Sequence, residues 1–586
     1  MIRSLARLKS FVIPYRRRLS LGIGAFGISR LFEGLIPIFV AIGIDRMSDG
    51  NIDMTLPVAG ILGSVLARYV VVTYARFAVR STGQFVAFDL RQSLYASLQD
   101  QGIRFFSHYT IGDMMTRAIA DISLIQRLIS MGSILFVILI YATLVGFGFM
   151  LYLSPSLTLL LLPPLPLVFI YARWASRQMG IASQDVQDRL SDLGTHVQEN
   201  LSGIRTIQAM VQEENEIKRF GRTNQQYAKA FYRQAKINSL MAAWMPSLAA
   251  VCSITILGYG SYLVLNGVMS LGELVAFFMY VSMVVQPFRV AGFVINLFQR
   301  AAVSCERLFE VIALAPEITD APSGRTPARI MGNIEIRNLT FRYDNTLQPA
   351  LNKVTLTIKQ GESISIMGRV GCGKTTLLKQ IVRLVETPRG SVWIDGHDVH
   401  DYPLAQLRSQ IAMVPQDTFL FGAPLKDNLT YDDPNRELDR IWAAATAADL
   451  KSTIEDFPEQ LDTIVGERGV TLSGGQKQRA ALARGLIREA PVLILDDCFS
   501  SVDTETEEHI LSELKRLRRG QTTVLVSHRV STARHSDRIV VMEQGTIAEI
   551  GTHAELIAQG GLYAELERIQ REGADESDYD VLEATT

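Results

Sequence analysis

The sequence predicts two halves of different class: an α-helical membrane domain, then an α/β domain wound around a glycine-rich loop. Three observations carry this. Long apolar blocks are confined to the first half. There, short uncharged connections alternate with long Arg- and Lys-rich stretches. In the second half the run Gly368-Arg369-Val370-Gly371-Cys372-Gly373-Lys374-Thr375 sits between a short apolar strand and a helical run. The expected boundaries are a membrane domain over 1–312, a linker over 313–332, the α/β domain over 333–570 and an acidic, disordered tail over 571–586.

Composition narrows the class. A chain of 586 residues is long enough for several domains. It is 48% hydrophobic and only 20% charged, against about 25% charged in ordinary soluble proteins. That excludes disorder, a collagen-like fibre and a purely soluble multidomain enzyme. With 58 basic and 59 acidic residues the net charge is -1, which argues against a dedicated nucleic-acid binder. Cys252, Cys305, Cys372 and Cys498 form no CxxC pair or ligand-like cluster. Neither a disulfide framework nor a structural zinc is expected from them.

About 20 apolar residues cross a bilayer core. Blocks of that size lie near Leu19–Ile44, Thr55–Phe77, Gly132–Leu153, Ser156–Trp174, Leu240–Leu265 and Leu271–Leu297, so six spans are expected. Arg16-Arg17-Arg18, with Arg3, Arg7 and Lys9 upstream, predicts a cytoplasmic N-terminus. The first block is longer than a leader's apolar core and is read as a retained helix. The long stretches Val79–Ile129 and Arg173–Ser239 read as helices that run past the bilayer into the cytosol. Within Asp185–Phe220 the residues Val186, Leu190, Leu193, Val197, Leu201, Ile204 and Ile207 form a helical stripe. Arg30, Glu33, Arg68, Arg76 and Arg289 lie inside apolar blocks. Intramembrane charge points to function, although Arg30 and Glu33, three apart, can simply pair, and Arg76 can snorkel. Pro37, Pro163, Pro164, Pro166, Pro246 and Pro287 are expected to kink their helices.

In the second half, Ser363–Met367 is a short apolar strand that runs into G-x-x-x-x-G-K-[ST]. The glycines let backbone amides curl around phosphates, Lys374 reaches the β- and γ-phosphates, and Thr375 offers a hydroxyl to Mg²⁺. The helix that follows adds the partial positive charge of its N-terminus. Pro491-Val492-Leu493-Ile494-Leu495-Asp496 reads as a buried parallel strand ending in a carboxylate suited to Mg²⁺. Leu472-Ser473-Gly474-Gly475-Gln476 opens another helix and reads as a second anion-binding end, the plainer alternative being a glycine turn that caps a helix.

The order of these motifs, with Gln416 after a strand, Ser500-Ser501-Val502-Asp503 and then His528, resembles the nucleotide-binding domain of an ABC transporter. The first half resembles a six-helix ABC exporter, through Glu199–Arg205 and through Phe105-Phe106 with Gly112. The resemblance covers nearly the whole chain. It implies an α-helical membrane domain of six transmembrane helices with long cytoplasmic extensions, followed by an α/β P-loop cassette. ATP and Mg²⁺ are the implied cofactors, and ATP hydrolysis coupled to transport is the implied activity. The phosphate loop would run from Gly368 through Arg369, Val370, Gly371, Cys372, Gly373, Lys374 and Thr375 to Thr376. Tyr343 would stack on adenine, or be a plain strand aromatic. Thr375, Gln416 and Asp496 would hold Mg²⁺, and Gln416 would also sense the γ-phosphate unless it is an ordinary loop glutamine. Ser473, Gly474, Gly475 and Gln476 would face a partner's nucleotide, and Asp503 would bridge the two sites or merely cap a helix. Val465–Gly469 resembles a loop that touches the partner's cytoplasmic helices. His528 would hold the γ-phosphate.

One position departs from the pattern. Asp497 stands where the family's catalytic base is normally Glu. Its shorter side chain predicts a site that binds ATP and hydrolyses it slowly. The resemblance is then to the degenerate-site subunit of heterodimeric bacterial multidrug-type exporters. The expected partner is a second half-transporter, and the expected cargo an amphipathic drug, lipid or peptide. The expected location is the cytoplasmic membrane with both termini in the cytoplasm. The alternatives are a homodimeric lipid flippase, an ATP-gated regulatory membrane protein, and a soluble ATPase acting on nucleic acid, which the apolar spans speak against.

Overall fold

The computed structural model describes residues 2–161, 164–285, 288–320, 329–344, 346–466, 469 and 471–572. Its internal contacts divide the chain into two units, Met1–Gln99 with Tyr109–Leu314, and Asp100–His108 with Ala315–Thr586. Residues 321–328 of the expected linker and 573–586 of the expected tail lie outside the described residues.

The described part of the first unit is helical. Ser4–Ser48, Thr55–Gln99 and Ile111–Leu153 are each long and apolar enough to cross a membrane. The other expected blocks fall on Pro155–Leu161 with Pro164–Ser202, on Glu213–Thr255 with Ser261–Leu265, and on Leu271–Val285 with Phe288–Ile312. Thr55–Gln99 has 45 residues, about 68 Å at 1.5 Å per residue, more than twice a hydrocarbon core of about 30 Å. Such a helix cannot be wholly intramembrane. The stripe expected over Asp185–Phe220 is not one helix. It breaks at Gly203 and again at Met210–Gln212, leaving the short helix Ile204–Ala209 between two long ones. Glycine is a poor helix former, and Val211 takes the left-handed φ of 55° that ends the turn.

Two polar features cross this apolar unit. Glu33 pairs with Arg30 on its own helix and with Arg68 Nη2 of the next at 3.1 Å, so one carboxylate serves two guanidiniums. Elsewhere, Arg117 and Asp121 are buried. Arg117 binds Asp113 at 3.0 Å and Glu310 at 3.3 Å, Arg307 binds Asp113 at 3.0 Å, and the Ser304 hydroxyl donates to Asp121 at 2.7 Å. This web ties Ile111–Asp121 to the helix Phe288–Ile312.

The second unit contains two sheets. Strands β1 (Ile334–Phe341), β2 (Leu351–Ile358), β4 (Val392–Ile394) and β5 (His397–Asp398) form an antiparallel sheet in the order β2-β1-β4-β5. Strands β3 (Ser363–Gly368), β6 (Ile411–Val414), β7 (Val492–Asp496), β8 (Thr522–Val526), β9 (Arg538–Glu543) and β10 (Thr546–Gly551) form the other, in the order β10-β9-β3-β8-β7-β6. From β9 to β6 every pairing is parallel. All five residues of β7 are buried, which is why its sequence is continuously apolar instead of alternating. Ile366 of β3, Val526 of β8 and Asp496 of β7 lie side by side in register. The carboxyl ends of these five parallel strands therefore open onto one edge, where ligands of open α/β sheets bind.

Candidate functional site

The site is built on that edge. After β3 the chain turns through Gly368–Gly373 into the helix Lys374–Ile381. Gly368 has φ +144°, and a Cβ there would sit 2.2 Å from the Met542 carbonyl oxygen. Gly373 has φ +103°, and a Cβ would sit 2.5 Å from the Ala350 carbonyl oxygen. No side chain fits at either position without moving backbone. Lys374 is buried, and its ammonium donates to the carbonyls of Gly368 at 2.7 Å and Arg369 at 2.9 Å. The charge is thus held inside the loop, next to the first turn of a helix, as an anion cradle requires.

Thr375 Oγ1 donates to Asp496 Oδ1 at 3.0 Å. Burial pushes the Asp496 carboxyl above the usual carboxylate range. The neighbouring Asp497 pushes it the same way, while the Thr375 hydroxyl and the ammoniums of Lys379 and Lys374 pull it back. A hydroxyl beside a buried carboxylate is what Mg²⁺ uses when phosphates supply further oxygens. Among the described residues no cluster of three or more His, Cys, Asp or Glu could hold a metal by itself. The residues present therefore fit Mg²⁺ that arrives with a nucleotide.

From β6, Gln416 Nε2 reaches Asp497 Oδ2 at 3.3 Å. Asp497 lies one residue past β7 with φ 46°, a left-handed conformation that Asp tolerates better than most residues. His528 follows β8 at the same edge. The Tyr343 hydroxyl lies 3.3 Å from Thr376 Oγ1, and its ring meets Phe341 edge-on at 5.0 Å. The structure thus gathers Gly368–Thr376, Asp496, Asp497, Gln416, His528 and Tyr343.

The remaining predicted residues form a second group. Ser473 caps the helix Gly474–Leu486 in a reciprocal box with Gln476. Gly475 lies against the Ser501 backbone, where a Cβ would approach the carbonyl oxygen to 2.8 Å. Asp503 caps the helix Thr504–Leu517 by accepting from the Thr506 amide at 2.9 Å, and that bond holds its carboxyl below the ordinary value. The plainer capping roles are therefore present at both helix starts. Within Val465–Gly469, Glu467 and Arg468 lie outside the described residues. Cys372 and Cys498 are both buried, Cys498 within a hydrophobic core, and burial raises both thiols.

The chain matches family models over both halves: an ABC transporter transmembrane region over residues 19–288 and an ABC transporter model over residues 351–500. An uncharacterized ABC transporter ATP-binding protein, YknU of Bacillus subtilis, is 31% identical over 96% of this chain and 97% of its own. The chain is an ABC transporter. The lipid A-core flippase of Syntrophus aciditrophicus is 36% identical over 83% of the transporter and 81% of its own length. The structure of a bacterial Atm1-family ABC exporter with ATP bound superposes with a TM-score of 0.76 at 24% identity, covering 96% of the transporter and 100% of that chain. The transporter is accordingly an ATP-hydrolysing ABC exporter with a helical membrane domain ahead of an α/β nucleotide-binding domain.

Sequence reasoning missed Gln478 of this transporter. Its Nε2 donates to Ser500 Oγ at 2.8 Å and its Oε1 accepts from the Ser501 amide at 2.8 Å. One carboxamide thus joins the helix behind Ser473–Gln476 to the loop that leads to Asp503. No sequence signal marks it: it is a glutamine in a polar helical run, and its burial shows only in the fold.

Proposed function

We propose that this exporter is one half of a heterodimer that moves an amphipathic substrate across the cytoplasmic membrane, with both termini in the cytoplasm, and that its own ATP site turns over slowly. In this reading Lys374 and the amides of Gly371–Thr375 hold the phosphates and Tyr343 packs on adenine. Thr375, Asp496 and Gln416 face Mg²⁺, and His528 holds the γ-phosphate. Bound Mg²⁺ would neutralise charge building up between the β- and γ-phosphates. Asp497 would have to orient and deprotonate the attacking water. Ser473–Gln476 and Asp503 would complete the site of the partner. Closure around two nucleotides then favours one conformation of the membrane helices over another by its differential affinity.

The observation that carries the slow-site reading is Asp497. It is one methylene shorter than Glu, and its carboxylate is engaged by Gln416 at 3.3 Å. General-base assistance is worth about 10²–10⁴-fold, so a base that falls short leaves binding intact and hydrolysis slow. The test is purification of a tagged chain from its native membrane, identification of the co-purifying subunit, and a reading of the residue after that subunit's strand-end Asp. A second half-transporter with Glu there supports the proposal; this chain alone, with full turnover, refutes it.

A second reading, a homodimeric flippase for an anionic lipid, draws support from the relative named as a lipid A-core flippase and from Glu33, which faces two arginines. Lipid translocation by this chain alone in vesicles distinguishes the two.

A further inference from the structure

The loop that carries His528 is held from behind by the last described helix, Leu562–Glu572. Tyr563 and Leu566 of that helix are buried with Met367, Val530, Ala533, Ile539, Val541 and Leu556. Met367 immediately precedes Gly368, so the helix packs under both the start of the phosphate loop and the histidine loop. From its last turns Gln570 meets the histidine loop with both ends of its carboxamide. Oε1 accepts from the Val530 amide at 2.9 Å, and Nε2 donates to the His528 carbonyl at 2.5 Å. Arg529, between them, is anchored separately. Its guanidinium pairs with the buried Glu507 and donates to the Val502 carbonyl at 3.2 Å, and its amide donates to Ser527 Oγ at 2.9 Å.

A carboxamide donates from its nitrogen and accepts at its oxygen; a carboxylate only accepts and a methyl does neither. The two bonds hold the peptide units on either side of Arg529, the first of which carries the His528 carbonyl. They fix where His528 starts from without touching its ring.

We propose that Gln570 is a positioning residue for ATP hydrolysis: through its carboxamide the C-terminal helix sets the backbone that aims His528 at the nucleotide. The inference rests on the reading of His528 as a γ-phosphate holder. Misplacement of a reacting group by about 1 Å can cost about 100-fold, whereas one exposed and one half-buried hydrogen bond are worth only about 1 kcal/mol each to folding. Catalysis and stability should therefore separate.

The experiment uses the full chain with its co-purifying subunit in nanodiscs, in the natural background and in an Asp497→Glu background. Gln570→Ala, Gln570→Asn, Gln570→Glu and His528→Ala are compared for kcat, KM for ATP and melting temperature. In the background where His528→Ala slows turnover, Gln570→Ala is expected to lower kcat by about 10- to 100-fold. KM should stay within about twofold and the melting temperature within about two degrees. Gln570→Glu should be as slow as Gln570→Ala, because it cannot donate to the His528 carbonyl, and Gln570→Asn should recover part of the rate. If His528→Ala slows turnover and Gln570→Ala does not, the inference fails alone. If His528→Ala is without effect in both backgrounds, the reading of His528 fails and the inference falls with it. A loss of kcat that tracks a matching loss of melting temperature, with Gln570→Glu fully active, would show a structural clamp and overturn the proposal.

Discussion

Thr375 Oγ1 and Asp496 Oδ1 meet at 3.0 Å and join the helix after the phosphate loop to the end of β7. Neither residue reaches the other through neighbouring sequence, since they are 121 positions apart. The sheet order alone brings them together. In the proposed reading, a cation entering with the nucleotide would meet both groups at once.

Asp496→Asn keeps the hydrogen bond to Thr375 possible but removes the charge that would attract Mg²⁺. In the unaltered chain, chelation of Mg²⁺ by EDTA should weaken binding of a fluorescent ATP analogue by about tenfold, on the scale of one lost charge-assisted contact of about 1.4 kcal/mol. In Asp496→Asn the analogue should bind weakly with or without EDTA. Equal EDTA sensitivity in both proteins would remove Asp496 from the metal site.

Asp497→Glu restores the missing methylene. Steady-state phosphate release by the assembled exporter should rise by about tenfold or more, within the range of general-base assistance. An unchanged rate would mean that the length of this side chain does not limit turnover.

Gly373→Ala combines a φ of +103° with a Cβ placed 2.5 Å from a backbone oxygen. Strain of this kind costs about 1–3 kcal/mol, and relief requires the phosphate loop to move. ATP binding should be lost. Gly390→Ala is the control, since its φ is +77° but nothing lies within 4 Å of the added carbon. It should lower the melting temperature slightly and leave ATP binding unchanged.

Glu33→Gln leaves Arg30 and Arg68 facing each other in an apolar unit. Breaking a desolvated pair from one side costs about 3 kcal/mol, discounted here because Arg68 is 38% exposed. The melting temperature in nanodiscs should fall by several degrees, and Arg68→Gln introduced alongside should restore part of it. A double variant no better than Glu33→Gln would show that the two charges do not interact.

Local rules made most of the nucleotide site legible. A strand, a glycine loop and a Lys-Thr pair occur within the thirteen residues Ser363–Thr375, and each has its own physical signature. The buried strand ending in Asp496 announces itself by continuous apolarity. What local rules leave out is who meets whom. Gln416 touches Asp497 across 81 positions, and Gln570 touches His528 across 42. Neither glutamine differs in composition or spacing from a solvated one. In the membrane half the pairing of Arg30 with Glu33 follows from helical spacing, but the second arginine on Glu33 comes from the next helix. The apolar stripe over Asp185–Phe220 suggested one helix because periodicity survives short turns, while Gly203 and Val211 interrupt the backbone.

The web around Arg117 has a mechanical consequence. Arg117 also donates to the Arg307 carbonyl, 190 residues away along the chain. Five charged groups and a hydroxyl in one partly desolvated knot resist shear far better than a sliding contact between apolar faces would. Force applied to the segment Ile111–Asp121 must therefore turn the helix Phe288–Ile312 with it. The two behave as a single crank, and cutting the knot at Arg117 would let one end rotate while the other stays still.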